Sequence, residues 1–172
     1  MERLNYDTVI GADGIHSPVR TALFGAESPR FTGIVSFRSV VSTEKVKHIP
    51  EIEAFIKWWG DTPQKQIVTF PLNQRKETFI FATIGQESWT EKSWTSAGDL
   101  QELLNFYKDA RALLQACETT FKSALYERDP LLKWSVDNVT LLGDACHPML
   151  PFYGSRGRNG YRRCNYFSSK FI

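Results

Sequence analysis

Two acid–glycine pairs are the residues of this sequence best suited to chemistry, and each closely follows a short run of apolar, β-branched residues. The pairs are Asp13 with Gly14, and Gly143 with Asp144. A carboxylate at such a turn can accept hydrogen bonds from sugar hydroxyl groups, and small residues let the backbone approach a phosphate. The sequence therefore predicts a site for a ligand with sugar and phosphate groups, although the first pair alone also fits a purely structural turn.

Other residue types near the two pairs fit the same chemistry. Arg20 follows the first pair at a helix-like start and could neutralise phosphate charge. Pro148 and Pro151 follow the second pair and would stiffen its loop, so that backbone groups rather than side chains face a ligand. The carboxyl end of a buried strand is where ligands bind in open α/β sheets.

Length and composition are those of an ordinary soluble globular protein. The 172 residues suffice for one domain with a sizeable core and are a bare minimum for two. No window holds the roughly 18 apolar residues of a membrane span, and the start has no apolar signal-peptide region. Cys117, Cys146 and Cys164 match no metal-ligand spacing, so we expect no metal site, no disulfide framework and a cytoplasmic location.

The net charge of +2 comes from the end of the chain. Residues 155–172 carry five basic residues and no acid, so the rest of the chain is net negative. We therefore do not take the basic balance as evidence for a nucleic-acid partner. The sequence does not specify an oligomeric state.

Hydrophobic patterning predicts strands joined by one long helix. The predicted strands lie at residues 6–10, 34–41, 66–71, 79–84 and 139–142. A polar turn at residues 73–76 predicts that the third and fourth strands form an antiparallel hairpin. Because the middle strands lack helical crossovers, we expect an antiparallel sheet.

A 3.6-residue period predicts the helix at residues 98–118. Ser96 or Asp99 is its expected N-cap.

The two acid–glycine stretches, residues 7–20 and 139–152, resemble the "DG" and "GD" motifs of FAD-dependent aromatic hydroxylases. The resemblance covers residues 5–154, and the order and separation of the two motifs agree with this family. The segments between the motifs resemble salicylate-hydroxylase-like members. Matching segments between the motifs are Gly33-Ile34-Val35-Ser36-Phe37-Arg38, Trp58-Trp59-Gly60, Ser93-Trp94 and Arg128-Asp129-Pro130-Leu131-Leu132-Lys133-Trp134.

The resemblance implies an α/β (α+β) fold made of two parts. Residues 1–30 and 134–154 would form part of an FAD-binding domain. Residues 31–133 would form the substrate-side antiparallel sheet with its helix.

The resemblance also implies how FAD is held. Asp13, with Gly14 and Arg20 beside it, would bind near the FAD pyrophosphate. Gly143 and Asp144 would hold the ribityl or ribose part.

Three further residues have expected places in the resemblance. His147 and Pro151 would run beside the isoalloxazine, and Arg38 would stand at the start of the substrate sheet. Arg38 also fits a surface charge at a strand edge, and His147 also fits a structural hydrogen-bonding residue.

The implied activity is hydroxylation of a small aromatic compound with FAD, NADH or NADPH, and O2. The rivals are a flavoprotein of the same fold with other oxidation chemistry, such as epoxidation, and a catalytically inactive truncated product. The sequence names neither the aromatic substrate nor the nicotinamide nucleotide.

The two ends of the chain depart from the family pattern. No Gly-x-Gly-x-x-Gly segment precedes the first strand. Residues 155–167 can be encoded so that a one-base shift reads Gln-Gly-Ala-Glu-Met-Ala-Ile-Glu-Asp-Ala-Ile-Ile, which is the family's expected continuation. We therefore hypothesise that residues 155–172 come from a shifted reading frame.

Overall fold

The computed structural model describes residues 5–62, 64–91 and 96–150, which form a mixed α+β structure as the sequence predicted. Pro151, the Ser93-Trp94 pair and the tail at 155–172 lie outside the described residues. The chain divides into two compact units. Unit 1 comprises residues 1–30 and 126–172, and unit 2 comprises residues 31–125.

The regular elements are numbered in chain order. The strands are β1 (Val9–Gly11), β2 (Arg30–Ser42), β3 (Ile56–Trp59), β4 (Gln66–Leu72), β5 (Glu77–Gly85), β6 (Ser96–Ala97), β7 (Phe121–Glu127), β8 (Ser135–Val136) and β9 (Val139–Leu141). The helices are α1 (Pro18–Phe24), α2 (Thr43–Val46), α3 (Leu100–Phe106) and α4 (Arg111–Leu114), with 3-10 turns at Asn73–Arg75 and Gly143–Ala145. None of the helices in the described ranges is long and apolar enough to cross a membrane.

Unit 2 is built on a six-stranded sheet with the order β3-β4-β5-β2-β7-β6. Strand β5 pairs antiparallel with both β4 and β2, which confirms the predicted hairpin and the antiparallel sheet. The predicted polar turn at 73–76 contains three residues with positive φ: Asn73, Gln74 and Arg75. Strands β3, β6 and β7 were not predicted from the sequence.

The two faces of this sheet differ because side chains alternate along each strand. One face packs against the helices and forms the core, which includes Phe37, Ile67, Ile80, Ala82 and Leu103. The residues between them point to the other face. The hairpin register places Val68 opposite Phe81, and Phe81 opposite Arg38, on that second face.

The single helix predicted at residues 98–118 is wrong, because the structure has α3 and α4 with a break between them. Asp99 caps α3 by accepting a hydrogen bond from the backbone N–H of Gln101. At Tyr107 the backbone leaves the helical region (φ −104°, ψ 68°). The buried Tyr107 hydroxyl lies within hydrogen-bond distance of the carbonyl oxygens of Gln66 and Thr83. This anchor to the sheet outweighs the helical period of the sequence.

Unit 1 contains a three-stranded sheet with the order β1-β9-β8. Strand β1 pairs parallel with β9, and β8 pairs antiparallel with β9. The predicted strand at 6–10 is observed only at Val9–Gly11. Leu141, Ala145 and Cys146 form the small core of this unit, and Val19 of helix α1 packs against it.

Candidate functional site

The parallel pairing of β1 and β9 brings both acid–glycine turns to one edge of the unit 1 sheet. Gly11 is in register with Leu141, and the backbone N–H of Leu142 donates to the Gly11 carbonyl at 2.9 Å. Both strands end at this point, so Asp13 and Asp144 follow neighbouring strands at their carboxyl ends. This is the edge at which open α/β sheets bind ligands.

The first turn leads directly into helix α1. The Asp13 carboxylate accepts a hydrogen bond from the backbone N–H of Val19 at 3.1 Å, and the Ser17 hydroxyl accepts one from the N–H of Arg20 at 2.8 Å. Burial raises the pKa of Asp13, but its hydrogen bonds to Ser17 and Val19 outweigh that effect and leave the pKa below its usual value. Asp13 is therefore an exposed, ionised group that also caps the helix.

Gly11 holds the strand and the helix close together at this turn. A Cβ atom built on Gly11 would lie 2.8 Å from Val19 Cγ1 and 2.9 Å from Leu141 Cδ2. Both contacts are closer than side-chain atoms tolerate. Gly11 therefore permits the packing that fixes where the first turn leaves the sheet.

The second turn is a short 3-10 segment at Gly143–Ala145. Gly143 has a φ of 62°, and its carbonyl accepts hydrogen bonds from the backbone N–H groups of Cys146 and His147 at 3.0 and 2.9 Å. Asp144 is exposed on this turn. A Cβ atom built on Gly14 or on Gly143 would meet no described atom within 4 Å, so the backbone of both turns is open to a ligand.

The buried side chain of Arg20 links the segments that follow the two turns. Its side chain is only 2% exposed, and its guanidinium donates to the carbonyl oxygens of Cys146 at 3.1 Å and Asp129 at 3.3 Å. It also forms a 2.6 Å ion pair with Glu27. The sequence indicated that Arg20 could neutralise phosphate charge, which stays a prediction; in the structure its guanidinium binds these protein groups.

Glu27 completes this cluster by contacting a second buried arginine. The Arg128 Nη1 atom lies 3.5 Å from the Glu27 carboxylate and donates to the Glu27 carbonyl at 2.8 Å. The hydrogen bond from Arg20 lowers the pKa of Glu27, and burial opposes this only in part. We call Arg20, Glu27 and Arg128 the arginine clamp. Sequence reasoning missed Glu27, because nothing in its neighbourhood along the chain pairs it with an arginine.

His147 lies on the loop after the second turn, packed against Trp134. The two ring centroids are 5.4 Å apart, and the Trp134 indole N–H donates to the Leu131 carbonyl at 3.2 Å. The His147 Nδ1 atom is buried and has no hydrogen-bond partner among the residues that the structure describes. The geometry thus leaves one nitrogen of this ring available.

Arg38 belongs to unit 2, in a row of side chains across four strands. Lys57 of β3 is opposite Val68, Val68 is opposite Phe81, and Phe81 is opposite Arg38. Burial lowers the pKa values of both Arg38 and Lys57. The row therefore has a cation at each end and apolar side chains between.

The next row adds aromatic surface to the same side of the sheet. Phe70 and Phe79 are opposite each other with ring centroids 4.8 Å apart, and Phe55 stacks on Phe70 at 6.2 Å. We call the two rows and Phe55 the aromatic face. Sequence reasoning did not identify it, although the alternation of Phe79 and Phe81 along one strand was a usable signal.

The chain is similar to known FAD-dependent proteins. A family model described as an FAD binding domain matches residues 2–160. The chain is 36% identical over 149 residues to a 6-hydroxynicotinate 3-monooxygenase from Bordetella bronchiseptica, covering 84% of this chain and 39% of the relative. It is 33% identical over 155 residues to a 3-amino-4-hydroxybenzoate 2-monooxygenase from Streptomyces platensis, covering 88% and 38%.

Among solved structures, a salicylate hydroxylase in complex with its substrate matches with a TM-score of 0.72 and 26% identity. The match covers 87% of this chain and 41% of that structure. The chain thus spans about two fifths of the length of the proteins it matches.

Proposed function

Because this chain belongs to the FAD-binding-domain family of aromatic monooxygenases, we propose that it is part of an FAD-dependent enzyme that hydroxylates a small aromatic compound. The observation that carries the proposal is the convergence of the two acid–glycine turns at one sheet edge. The relatives act on nitrogen-containing or hydroxylated aromatic acids, according to their names.

The residues at the convergent turns fit the polar parts of FAD. We assign the ribityl or ribose hydroxyl groups to the exposed Asp144 carboxylate, since a carboxylate is a strong acceptor for hydroxyl donors. We assign the pyrophosphate region to the turn at Asp13 and Gly14. The open space at Gly14 and Gly143 supports this, because a ligand can approach the backbone there.

We propose a positioning role for Arg20 in place of a direct phosphate contact. A guanidinium that already binds three backbone carbonyls and a carboxylate has few donors left for FAD. Its bond to the Cys146 carbonyl instead holds the loop that follows Asp144. The buried Nδ1 of His147, on that loop, would form a hydrogen bond either with the cofactor or with a group of the loop itself.

For the substrate we propose the aromatic face of unit 2. Phe79 and Phe81 offer ring surfaces for an aromatic compound. Arg38 and Lys57 offer cations for an acidic substituent, and arginine suits a carboxylate particularly well because its planar donors match the two oxygens. Neighbouring strands are about 4.8 Å apart. Lys57 and Arg38 are three strand spacings apart, roughly 14 Å, so a single aromatic ring fits between them.

Bound FAD would supply the redox chemistry, taking a hydride from NADH or NADPH and activating O2. The proposed reaction consumes the reduced nucleotide, a proton, O2 and the aromatic compound. It yields the oxidised nucleotide, water and the hydroxylated compound. The protein's part is to bind, orient and exclude water. We place the reaction in the cytoplasm, where reduced nicotinamide nucleotides are available.

Titration of the chain with FAD tests the proposal. We expect quenching of flavin fluorescence at micromolar protein, and weaker binding by Asp144→Asn. The matched control is Asp7→Asn, which removes the same charge from an exposed residue before β1 and should bind as the wild type does. If wild type and Asp144→Asn give the same titration, the assignment of Asp144 is wrong. If neither quenches flavin fluorescence, the catalytically inactive alternative is favoured.

A further inference from the structure

Unit 2 contains a cavity of about 530 Å³ that the proposed reaction does not use. Its apolar wall includes Ile67 and Trp58, which are opposite each other on the core face of the sheet. The aromatic face lies mainly on the other side of the same sheet. The two surfaces come near each other at Trp59, which lines the cavity and has the Lys57 ammonium 3.9 Å from its ring centroid. The volume lies within the range of about 300–1,000 Å³ that is usual for small-molecule sites.

The segment between α3 and α4 lines this cavity. Tyr107 lies in its wall, and the segment from Asp109 to Ala112 forms one rim with the small side chains of Ala110 and Ala112. The Tyr107 ring is held in place because its hydroxyl is within hydrogen-bond distance of two sheet carbonyls. A ligand would thus meet an aromatic surface that is already ordered.

The opposite rim is ordered by Gly60 and Lys65. The N–H of Gly60 donates to the Lys65 carbonyl at 2.7 Å, and a Cβ atom on Gly60 would lie only 2.5 Å from the Lys65 stem. The Lys65 ammonium is 3.6 Å from Asp61 and 5.9 Å from the centroid of the Tyr107 ring. A cation is therefore already accommodated beside the aromatic wall.

The charges at the rim favour a cationic ligand. Asp61 offsets Lys65, whereas Asp109 makes no hydrogen bond or ion pair with the part of the chain that the structure describes. The charged lining residues Lys65, Asp61 and Asp109 thus carry a net charge of one negative. The nearby Lys57 ammonium is held 3.9 Å from the Trp59 ring centroid and is not itself in the lining. An ammonium group near Asp109 would balance the negative charge of its carboxylate and could also contact the ring faces of Trp58 and Tyr107.

We propose that this cavity is a binding site for a small aromatic amine in its protonated form, distinct from the substrate surface because its ring-binding wall of Trp58 and Ile67 is on the core face of the sheet. The ring would lie among Trp58, Ile67 and Tyr107, and the ammonium group would face Asp109. The site does not depend on FAD, since its lining residues all belong to unit 2.

Calorimetric titration of the full chain without FAD tests this proposal with three ligands that share one ring system. These are tryptamine, indole and indole-3-acetate, which are cationic, neutral and anionic at pH 7. We expect tryptamine to bind about tenfold more tightly than indole-3-acetate, a ratio that corresponds to about 1.4 kcal/mol. Equal affinities for the three ligands, or no saturable binding of tryptamine, would overturn the proposal.

Variants locate the binding in the cavity. Asp109→Asn should reduce the preference for tryptamine at least threefold, whereas Glu87→Gln, an acid outside the cavity lining, should leave it unchanged. Ala112→Phe adds a ring at an exposed position of the rim and should weaken tryptamine binding about tenfold. Unfolding curves of each variant check that it is folded. If folded Asp109→Asn and Ala112→Phe both bind tryptamine like the wild type, the site is elsewhere and the proposal fails.

Discussion

The buried guanidinium of Arg20 donates a hydrogen bond to the carbonyl oxygen of Cys146, with 3.1 Å between Nη1 and O. This contact joins helix α1, which follows the first acid–glycine turn, to the segment that follows the second. The same side chain contacts Glu27 and the Asp129 carbonyl. One residue therefore fixes three separate segments of unit 1, and the relative geometry of the two turns depends on it.

Arg20→Lys should destabilise the chain by about 2–4 kcal/mol, because a single ammonium cannot satisfy three separated acceptors and leaves buried groups unpaired. Urea unfolding followed by circular dichroism measures the loss. Arg75→Lys is the control, since Arg75 is exposed and its ion pair with Glu53 contributes about 0–1 kcal/mol. An unchanged urea midpoint for Arg20→Lys would contradict the clamp.

Glu27 should make stability depend on pH on the acid side. Its folded pKa lies below the ordinary value of 4.5, so its contribution is present above about pH 4.5 and is lost as the pH falls through the folded pKa. The stability difference between wild type and Glu27→Gln should therefore be larger at pH 7 than at pH 3. Glu51→Gln, at an exposed position, should show no such change. A difference that is equal at both pH values would rule out this linkage.

Gly11→Ala should destabilise unit 1 by about 1–3 kcal/mol, because the added methyl group would collide with Val19 and Leu141. Gly85→Ala is the comparison: its Cβ would meet only ordinary contacts of 3.7 Å or more. Thermal unfolding of the two variants measures the difference. Equal unfolding midpoints for the two variants would show that β1 and α1 can move apart to make room for the methyl group without loss of stability.

Tyr107 should make stability fall at high pH. Burial raises its pKa to about 12, so the folded chain keeps the proton in a range where the unfolded chain, with an ordinary value of 10.0, loses it. Stability from this group is complete below pH 10 and is lost as the pH rises towards 12. In Tyr107→Phe this part of the pH dependence should disappear, and the loss of the hydrogen bond should cost about 1–3 kcal/mol at pH 7. Urea unfolding at pH 8, 10 and 11 tests both effects, and identical slopes for the two proteins would refute the assignment.

The shifted-frame hypothesis for residues 155–172 predicts a specific coding sequence. Sequencing the genomic locus and its transcript should reveal a one-base gain or loss near Gly154, with the continuation Gln-Gly-Ala in the other frame. A transcript whose codons give no such continuation after a one-base shift would eliminate the hypothesis. A chain with the corrected frame should bind FAD more tightly than the chain that ends in residues 155–172, measured by the same fluorescence titration.

The local sequence was sufficient to identify the two acid–glycine turns and most of the strands. Glycine beside an acid after a β-branched run constrains the backbone by itself, and the polar turn at 73–76 forces its flanking strands to pair. These features depend on residues that are neighbours along the chain, and the structure has them where the sequence predicted. The family motifs also depend on such short stretches, which is why the residue pattern alone indicates Asp13 and Asp144 as site residues.

Only the tertiary structure determined which residues distant in sequence form hydrogen bonds with one another. Tyr107 interrupts a continuous helical period because its hydroxyl reaches carbonyls on the sheet, a contact between residues 24 and 41 positions apart. Arg20 was placed beside the FAD pyrophosphate by the resemblance, and only the fold shows that its guanidinium also contacts carbonyls of residues more than 100 positions away. Burial and long-range hydrogen bonding depend on which segments meet in space, and no local pattern of residue types encodes that meeting.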